Sequence, residues 1–330
     1  METRSVCAAL VALFATTALA SAQQNNDSAV KPTPVPAKAS GPSETSQSDI
    51  LKVCASTKEA PYSSADESGF ENRIAEILAE EMGRTLEYQW VEQPAIYLVR
   101  DGLDEKTCDV IIGVDAGDER LLTTTPYYRS AYAFVSKASD DFDGTRWQDV
   151  GGENISRIVH RLYSPAETML KYSGKYEDNL AYLYSLVDFK SRRNQFIDVP
   201  ASRLVQEVRA GEADLAIAFA PDVARYVKQS DGELKLTAIE NDLELQNGQT
   251  IELQYSQSVG VRPGDDQLLA EIEDALSSSK DRIDAVLEDE GIPMLEIGAD
   301  ENDTKSAPNE SEKEASSLSE ETNTTSVARN

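Results

Sequence analysis

The sequence is poor in the residues on which most catalytic and metal chemistry depends. It contains one histidine, His160, and three cysteines, of which Cys7 lies in an apolar stretch near the start. No stretch has the spacing of a Ser/His/Asp grouping, a phosphate-binding loop or a cluster of metal ligands. The run Asp140-Asp-Phe-Asp-Gly144 resembles the start of a calcium loop but lacks the later ligands, so we interpret it as a turn. We therefore expect no enzyme activity, no cofactor and no bound metal.

Long hydrophobic runs are also lacking, apart from one between Val6 and Leu19. Arg4 precedes this run and Ala20-Ser21-Ala22 follows it, which is the pattern of a secretory signal peptide. We predict a signal peptide at residues 1–22, cleaved near Ala22. The prediction implies export to the periplasm without membrane insertion, because the run is too short to span a bilayer comfortably.

Positive charge is scarce, with 31 basic residues against 59 acidic ones and a net charge of −28. The Pro- and Ser-rich residues 23–49 are predicted to be a disordered linker, and residues 299–330 a disordered acidic tail. The tail carries eight acidic and three basic residues, so most of the excess lies in the part expected to fold. This charge disfavours nucleic acid and anionic membranes as partners. It favours a basic protein partner, with a role in solubility alone as the equal alternative.

Cys54 and Cys108 remain once the signal peptide is removed. An even number of cysteines in an exported protein favours a disulfide, and two ligands without a supporting His make a poor metal site. Cys54 lies in a first strand and Cys108 begins a later strand segment. The bridge is therefore possible if those two strands are neighbours in the sheet.

The first half of the folded part alternates strands and helices. Strands are predicted at Ile50–Ala55, Thr85–Val91 and Val110–Val114, and helices at Phe70–Gly83 and Pro94–Gly102. This βαβαβ order predicts an open parallel sheet. Ligands bind at the carboxyl ends of such strands, where the polar loop from Asp115 to Arg120 lies.

The second half repeats this alternation between two strands that cross from one half to the other. The crossing strands are predicted at Tyr132–Ser136 and Ile251–Val261. Ser164-Pro-Ala-Glu167 is typical of a helix start. The remaining predicted elements are strands at Ile155–Arg161, Val199, Asp214–Phe219 and Leu234–Ile239, helices at Ala201–Ala210 and Val223–Lys228, and a long helix or helix pair at Asp265–Gly291.

Short motifs follow one another in an order seen in known proteins: Pro61-Tyr62, Gly69-Phe-Glu71, Cys108-Asp-Val-Ile-Ile-Gly113, Pro126-Tyr-Tyr-Arg-Ser130 and Gly211-Glu-Ala-Asp-Leu-Ala-Ile217. This order resembles that of family 3 solute-binding proteins. Longer stretches around Cys54, Phe70, Cys108 and Thr123 are similar to the MxaJ/XoxJ branch of methylotrophic bacteria. Proteins of that branch are encoded with pyrroloquinoline-quinone (PQQ) methanol dehydrogenases.

The resemblance implies an α/β fold of the type II periplasmic binding protein class, with two α/β lobes joined by two crossing strands. It places residues 50–135 and 257–298 in lobe 1 and residues 136–256 in lobe 2. It also implies a cleft between the lobes. The candidate cleft residues are Tyr62, Phe70, Asp115, Arg120, Tyr127, Ser164 and Phe219.

Two features of amino-acid binders in the wider family bear on that cleft. An Arg after the third strand holds the ligand carboxylate there, and Asp118-Glu119-Arg120 resembles this feature. An acid at the last strand of the second lobe holds the ammonium, but Phe219 occupies that position here. We therefore expect no anchor for an amino acid, because a buried ammonium without a carboxylate is costly.

Two functions fit these observations. The first is a periplasmic accessory protein that engages a PQQ methanol dehydrogenase, or its cytochrome or maturation partners. The sequence favours the lanthanide-linked XoxJ type slightly over the calcium-linked MxaJ type. The second is the substrate-binding component of an ABC uptake transporter for a small carboxylate or other polar solute, with Arg120 as the contact.

Overall fold

A computed structural model describes residues 49–187 and 199–298 of the chain. The predicted signal peptide, the predicted linker up to residue 48 and the predicted acidic tail lie outside the described residues.

The first half of the chain supplies a helix and five strands. They are β1 (Ile50–Ser56), α1 (Phe70–Glu81), β2 (Thr85–Val91), β3 (Val110–Asp115), β4 (Leu122–Thr123) and β5 (Tyr128–Lys137). Helix α1 forms where Phe70, Ile74 and Leu78 recur on one face, and all three are fully buried. The chain leaves α1 at Gly83, whose positive φ of 64° suits a glycine at a helix end.

The second half supplies most of lobe 2 and then returns to lobe 1. Its elements are β6 (Ile158–His160), α2 (Pro165–Ser173), α3 (Tyr176–Leu186), α4 (Ala201–Ala210), β7 (Leu215–Phe219), α5 (Ala220–Lys228), β8 (Leu234–Ala238), β9 (Leu243–Glu244), β10 (Thr250–Ile251), β11 (Gln254–Val261), α6 (Asp266–Ser278) and α7 (Lys280–Glu290). Within residues 49–187 and 199–298, no helix has the length and apolarity needed to cross a membrane.

Strand β5 takes part in the sheets of both lobes. In lobe 1, β1 pairs in parallel with β2 and β3, and β11 lies antiparallel between β3 and β5. Residues 128–131 of β5 pair with β11, whereas residues 132–137 pair with β7 and β8 in lobe 2. The two-lobed α/β class is therefore confirmed, and the change of partner falls between Ala131 and Tyr132.

The predicted disulfide is present. Val53 of β1 lies opposite Val110 of β3, so the two strands are neighbours. Cys54 and Cys108 are bonded with a Cα–Cα distance of 5.4 Å, inside the normal range for a disulfide. Both cysteines are buried in a cluster with Leu98, Leu103 and Ile111.

The segment predicted as a helix over Pro94–Gly102 is not an α-helix. It forms a 3₁₀ turn at Ala95–Tyr97 and a π-helical turn at Val99–Leu103. The second turn packs directly on the disulfide, because a Cβ at Gly102 would lie 2.8–2.9 Å from the two sulfur atoms. Val199, predicted as a short strand, is buried in lobe 2 but forms no strand. The final helical segment is a pair, α6 and α7, which meet at Ser279.

Candidate functional site

A cavity of about 510 Å³ opens between the two lobes, and we call it the interlobe cavity. It lies where β1, β3, β6 and β7 end, as expected for a sheet of this type. Its lining includes aromatic, acidic and small polar side chains. The residues used below are Glu59, Tyr62, Glu71, Gly113, Asp115, Tyr132, Arg161, Tyr163, Ser164, Phe219, Asp222, Tyr255 and Gln257.

Three aromatic rings form one wall of the interlobe cavity. Tyr132, Phe219 and Tyr255 come from β5, β7 and β11. Their ring centroids are 5.8–6.2 Å apart, and the rings meet at tilted or edge-on angles. The wall thus combines strands from both lobes.

Glu71 reaches the interlobe cavity from the first turn of α1. Its carboxyl lies against Gly113 of β3, where an added Cβ would come within 1.8 Å of Oε1. Among the described residues it has no hydrogen-bond or ion-pair partner. Burial, with a further contribution from the charge of Glu59, raises the pKa of Glu71 to about 8. The group is therefore mostly protonated near neutral pH.

Two further carboxylates reach the interlobe cavity from opposite lobes. Asp115 ends β3 and accepts a hydrogen bond from Gln257 Nε2 at 2.7 Å, and burial raises the pKa of Asp115 above its usual range. Asp222, in the first turn of α5, accepts a hydrogen bond from the Tyr62 hydroxyl at 2.7 Å. The Tyr62–Asp222 bond joins lobe 1 to lobe 2.

Arg161 supplies the positive charge on the lobe 2 side. Its guanidinium lies 3.7 Å from Glu59 and 3.5 Å from Asp222. The preceding residue, His160, is buried in β6, and its Nδ1 lies 2.7 Å from the carbonyl oxygen of Arg161. The histidine thus belongs to the packing of lobe 2. The described part of the chain brings no three His, Cys, Asp or Glu side chains together to hold a metal.

A second set of charges joins the lobes outside the lining of the interlobe cavity. Glu290 of α7 is buried and pairs with Arg225 of α5 at 2.6 and 2.8 Å. It also pairs with Arg73 of α1. Lys228 of α5 donates to the carbonyl of Asp289 at 2.6 Å. We call Glu290, Arg73 and Arg225 the lobe clamp.

The structure places four of the seven candidate cleft residues in the lining: Tyr62, Asp115, Ser164 and Phe219. Phe70 is instead fully buried in the lobe 1 core, where its ring lies 4.9 Å from that of Tyr62. Tyr127 packs against the same core. The structure therefore places Phe70 and Tyr127 in the core rather than in the cleft.

Arg120 is a third candidate that lies outside the lining. Its side chain is 57% exposed and donates from Nη2 to Asp118 at 2.6 Å. It does not line the interlobe cavity. On the surface it is paired with Asp118, its near neighbour in the chain.

The structure also brings into the cleft an acid that the sequence analysis did not expect. Phe219 does end β7, but α5 begins at the next residue, and its first turn brings Asp222 into the interlobe cavity. The signal was available in Ala220-Pro221-Asp222, because Pro and Asp are both favoured in the first turn of a helix. Glu71 was missed for a different reason, since only the fold shows that Gly113 leaves room for it.

Two α/β lobes, two crossing strands and a cavity between them define a solute-binding protein. The chain belongs to the bacterial extracellular solute-binding proteins of family 3, whose model matches residues 51–285. It is 57% identical over 245 residues to protein MoxJ of Paracoccus denitrificans, covering 74% of this chain and 89% of that protein.

Two solved structures extend this comparison. The chain in the crystal structure of MxaJ from Methlophaga aminisulfidivorans is 44% identical, with a TM-score of 0.70, over 74% of this chain and all of that one. The periplasmic binding protein XoxJ from Methylobacterium extorquens AM1 is 25% identical, with a TM-score of 0.55, over 75% of this chain and all of that one. The resemblance to the MxaJ/XoxJ branch is thereby confirmed.

Proposed function

We propose that this protein is a non-catalytic, periplasmic accessory protein of a PQQ methanol dehydrogenase system. The observation that carries the proposal is the 57% identity to MoxJ over most of both chains. The two-lobed solute-binding fold and the burial of His160 in the packing of lobe 2 support a binding role. The same charge that disfavours nucleic acid favours a basic protein partner.

The similarities favour the MxaJ type over the XoxJ type. Identity is 44% to the MxaJ chain and 25% to the XoxJ chain, and the TM-score falls in the same order. This reverses the slight preference for XoxJ drawn from the sequence. The proposed partner is therefore a calcium-linked methanol dehydrogenase.

The rim of the interlobe cavity offers a contact for that partner. Tyr163 is 85% exposed and has a positive φ of 60°, which is strained for a residue with a side chain. Its backbone is held by a hydrogen bond from its N–H to Glu167 Oε2 at 3.0 Å. An exposed aromatic ring on a backbone held in a strained conformation suits a recognition role.

Purified protein and purified methanol dehydrogenase provide the direct test of this function. We expect a complex by surface plasmon resonance, and at least tenfold weaker binding for Tyr163→Ser. Tyr184→Ser is the matched control, because Tyr184 is also exposed but lies on α3. Deletion of the protein should lower dehydrogenase activity in methanol-grown cells. No measurable complex together with unchanged activity in the deletion strain would contradict the proposal.

A second candidate function is solute capture for an uptake transporter, and the interlobe cavity is the observation that favours it. A volume of about 510 Å³ is within the range of small-molecule sites. Arg120 does not contribute to the lining, so a small carboxylate is not the solute that the lining favours. Loss of uptake of a bound solute on deletion, with dehydrogenase activity unchanged, would favour this second function.

A further inference from the structure

We propose that the interlobe cavity binds an organic cation that carries no carboxylate, such as an amine or guanidinium on an apolar body. This inference concerns the chemistry of the cavity and does not depend on the accessory function. It differs from the small carboxylate or other polar solute, with Arg120 as the contact, that the sequence suggested for the alternative transport function.

The first observation behind this proposal is the charge of the residues that line the cavity. Glu59, Glu71, Asp115 and Asp222 all line the interlobe cavity. Arg161 is the one Lys or Arg among the described lining residues, and its guanidinium already lies within 3.7 Å of Glu59 and 3.5 Å of Asp222. The lining therefore presents an excess of carboxyl groups to a ligand.

Glu71 is the anchor that this excess leaves available. Asp115 accepts a hydrogen bond from Gln257, and Asp222 accepts one from Tyr62, whereas Glu71 has no such partner among the described residues. Glu71 is partly buried, and a carboxyl partly removed from water with unused hydrogen-bonding capacity is stabilised by a donor or a cation that pairs with it. A ligand ammonium or guanidinium would complete that pair and would favour the ionised form of Glu71.

The aromatic wall suits the same ligand. Tyr132, Phe219 and Tyr255 present three rings in mutual contact, on the side of the cavity formed by β5, β7 and β11. Aromatic faces attract cations, and they also cover an apolar body. A lining that contains both carboxyl groups and aromatic rings is therefore complementary to a cation with a hydrophobic part.

The same geometry disfavours a carboxylate on the ligand. Arg120 does not line the cavity and is bonded to Asp118. A ligand carboxylate beside Glu71 and Asp115 would meet further carboxyl groups, and the basic side chain of the described lining, Arg161, already pairs with Glu59 and Asp222. An amino acid should therefore bind less tightly than the amine that lacks its carboxylate.

Calorimetric titration of the purified chain with matched probes tests this inference. Phenethylamine, phenylalanine and 3-phenylpropionate share one body and differ in charge, and agmatine and arginine form a second pair. We expect phenethylamine or agmatine to bind at least tenfold more tightly than its carboxylate-bearing counterpart, and 3-phenylpropionate not to bind. Tighter binding of phenylalanine, arginine or 3-phenylpropionate would overturn the proposal, as would no binding of either amine at millimolar concentration.

Isosteric variants test the role assigned to Glu71. Glu71→Gln and Asp115→Asn should each weaken binding of the amine at least fivefold, with the larger loss for Glu71→Gln. Glu119→Gln is the matched control, because Glu119 is exposed in the adjacent loop and does not line the cavity. Circular dichroism and melting establish that each variant is folded. Unchanged amine affinity in both folded variants would refute the site. Because no dehydrogenase is present, failure here leaves the proposed function standing.

Discussion

The position of the Glu71 side chain depends on the absence of a side chain at Gly113. The carboxyl of Glu71 fills the space that a side chain at Gly113 would need, because an ideal Cβ there lies 1.8 Å from Oε1. Oε1 and Cβ cannot approach so closely, and the backbone of β3 is fixed by its neighbours β1 and β11. Glu71 must therefore move if Gly113 acquires a side chain.

The first prediction concerns Gly113→Ala. We expect it to displace the Glu71 carboxyl, to lower the free energy of unfolding by about 1–3 kcal/mol and to reduce amine binding. Gly151→Ala is the control, because no atom lies within 4 Å of the position that its added methyl group would take, and it does not line the cavity. Chemical denaturation measures the difference. Equal stability of the two variants would show that Glu71 moves aside at no cost.

The second prediction follows from the pKa of Glu71. Its folded pKa of about 8 exceeds its usual value of 4.5, so the folded state binds more protons than the unfolded state between these values. The contribution of Glu71 to the free energy of unfolding is therefore fully present below pH 4.5. It is lost as the pH rises through about 8. The tyrosines around it have raised pKa values and stay neutral in this window. These tyrosines are Tyr62, Tyr88, Tyr127 and Tyr128, and Glu59 is the acidic side chain whose charge also acts on Glu71.

Glu71→Gln should remove this pH dependence. Between about pH 5 and pH 8, we expect the wild-type protein to lose about 1–3 kcal/mol more stability than the variant, an amount reduced for solvent screening. Urea unfolding at the two pH values measures it, and Glu119→Gln should behave as the wild type. Parallel stability curves for wild type and Glu71→Gln would contradict the raised pKa.

At the scale of elements, the helices and strands that could be predicted are those with a regular spacing of apolar residues. The apolar run of β3 and the spacing of Phe70, Ile74 and Leu78 were sufficient for a buried strand and an amphipathic helix. The α-helix predicted after Pro94 was wrong because its turns pack on a disulfide that joins two strands across 54 residues of sequence. Such a constraint is tertiary and leaves no periodic signal.

The lobe clamp gives the third prediction. Glu290 is buried between an arginine from each lobe, so removal of either arginine leaves a buried carboxylate incompletely paired. Arg225→Leu should lower the free energy of unfolding by about 2–4 kcal/mol, as expected when one partner of a buried pair is removed. It should also loosen the contact between α5 and α7, which small-angle scattering would detect as a larger radius of gyration.

Arg209→Leu is the matched control for the lobe clamp. Arg209 also pairs with a glutamate, Glu233, but both side chains are more than half exposed. Exposed pairs contribute about 0–1 kcal/mol, so this variant should be nearly neutral. If Arg225→Leu loses no more free energy of unfolding than Arg209→Leu, the lobe clamp does not stabilise the contact between the lobes.

At the scale of the whole molecule, the site could be predicted only in part. Tyr62, Asp115, Ser164 and Phe219 were found because each lies at the end of a strand, in the loop after one or before a helix. The sequence did not predict the sign of the charge on the proposed ligand. That sign depends on Glu71 and Asp222 lining the cavity while Arg120 does not, and the contact of Glu71 with Gly113 joins segments that are distant in sequence.

The last prediction concerns the charge of the molecule and its association with the dehydrogenase. A net charge of −28 should accelerate association with a basic surface, and salt should screen this attraction because the Debye length shortens to a few ångströms. We expect the association rate to fall about tenfold between low and high salt, with a smaller change in the dissociation rate.

A chain ending at Gly298 separates the two sources of charge, because residues 299–330 carry eight acidic and three basic residues. If the folded part steers the encounter, this shorter chain should keep most of the salt dependence of the association rate. Stopped-flow mixing measures both chains over the same salt series. A salt-independent rate would exclude electrostatic steering. Loss of most of the dependence on truncation would assign it to the tail, because the remaining acidic excess would then lie on surfaces that the partner does not approach.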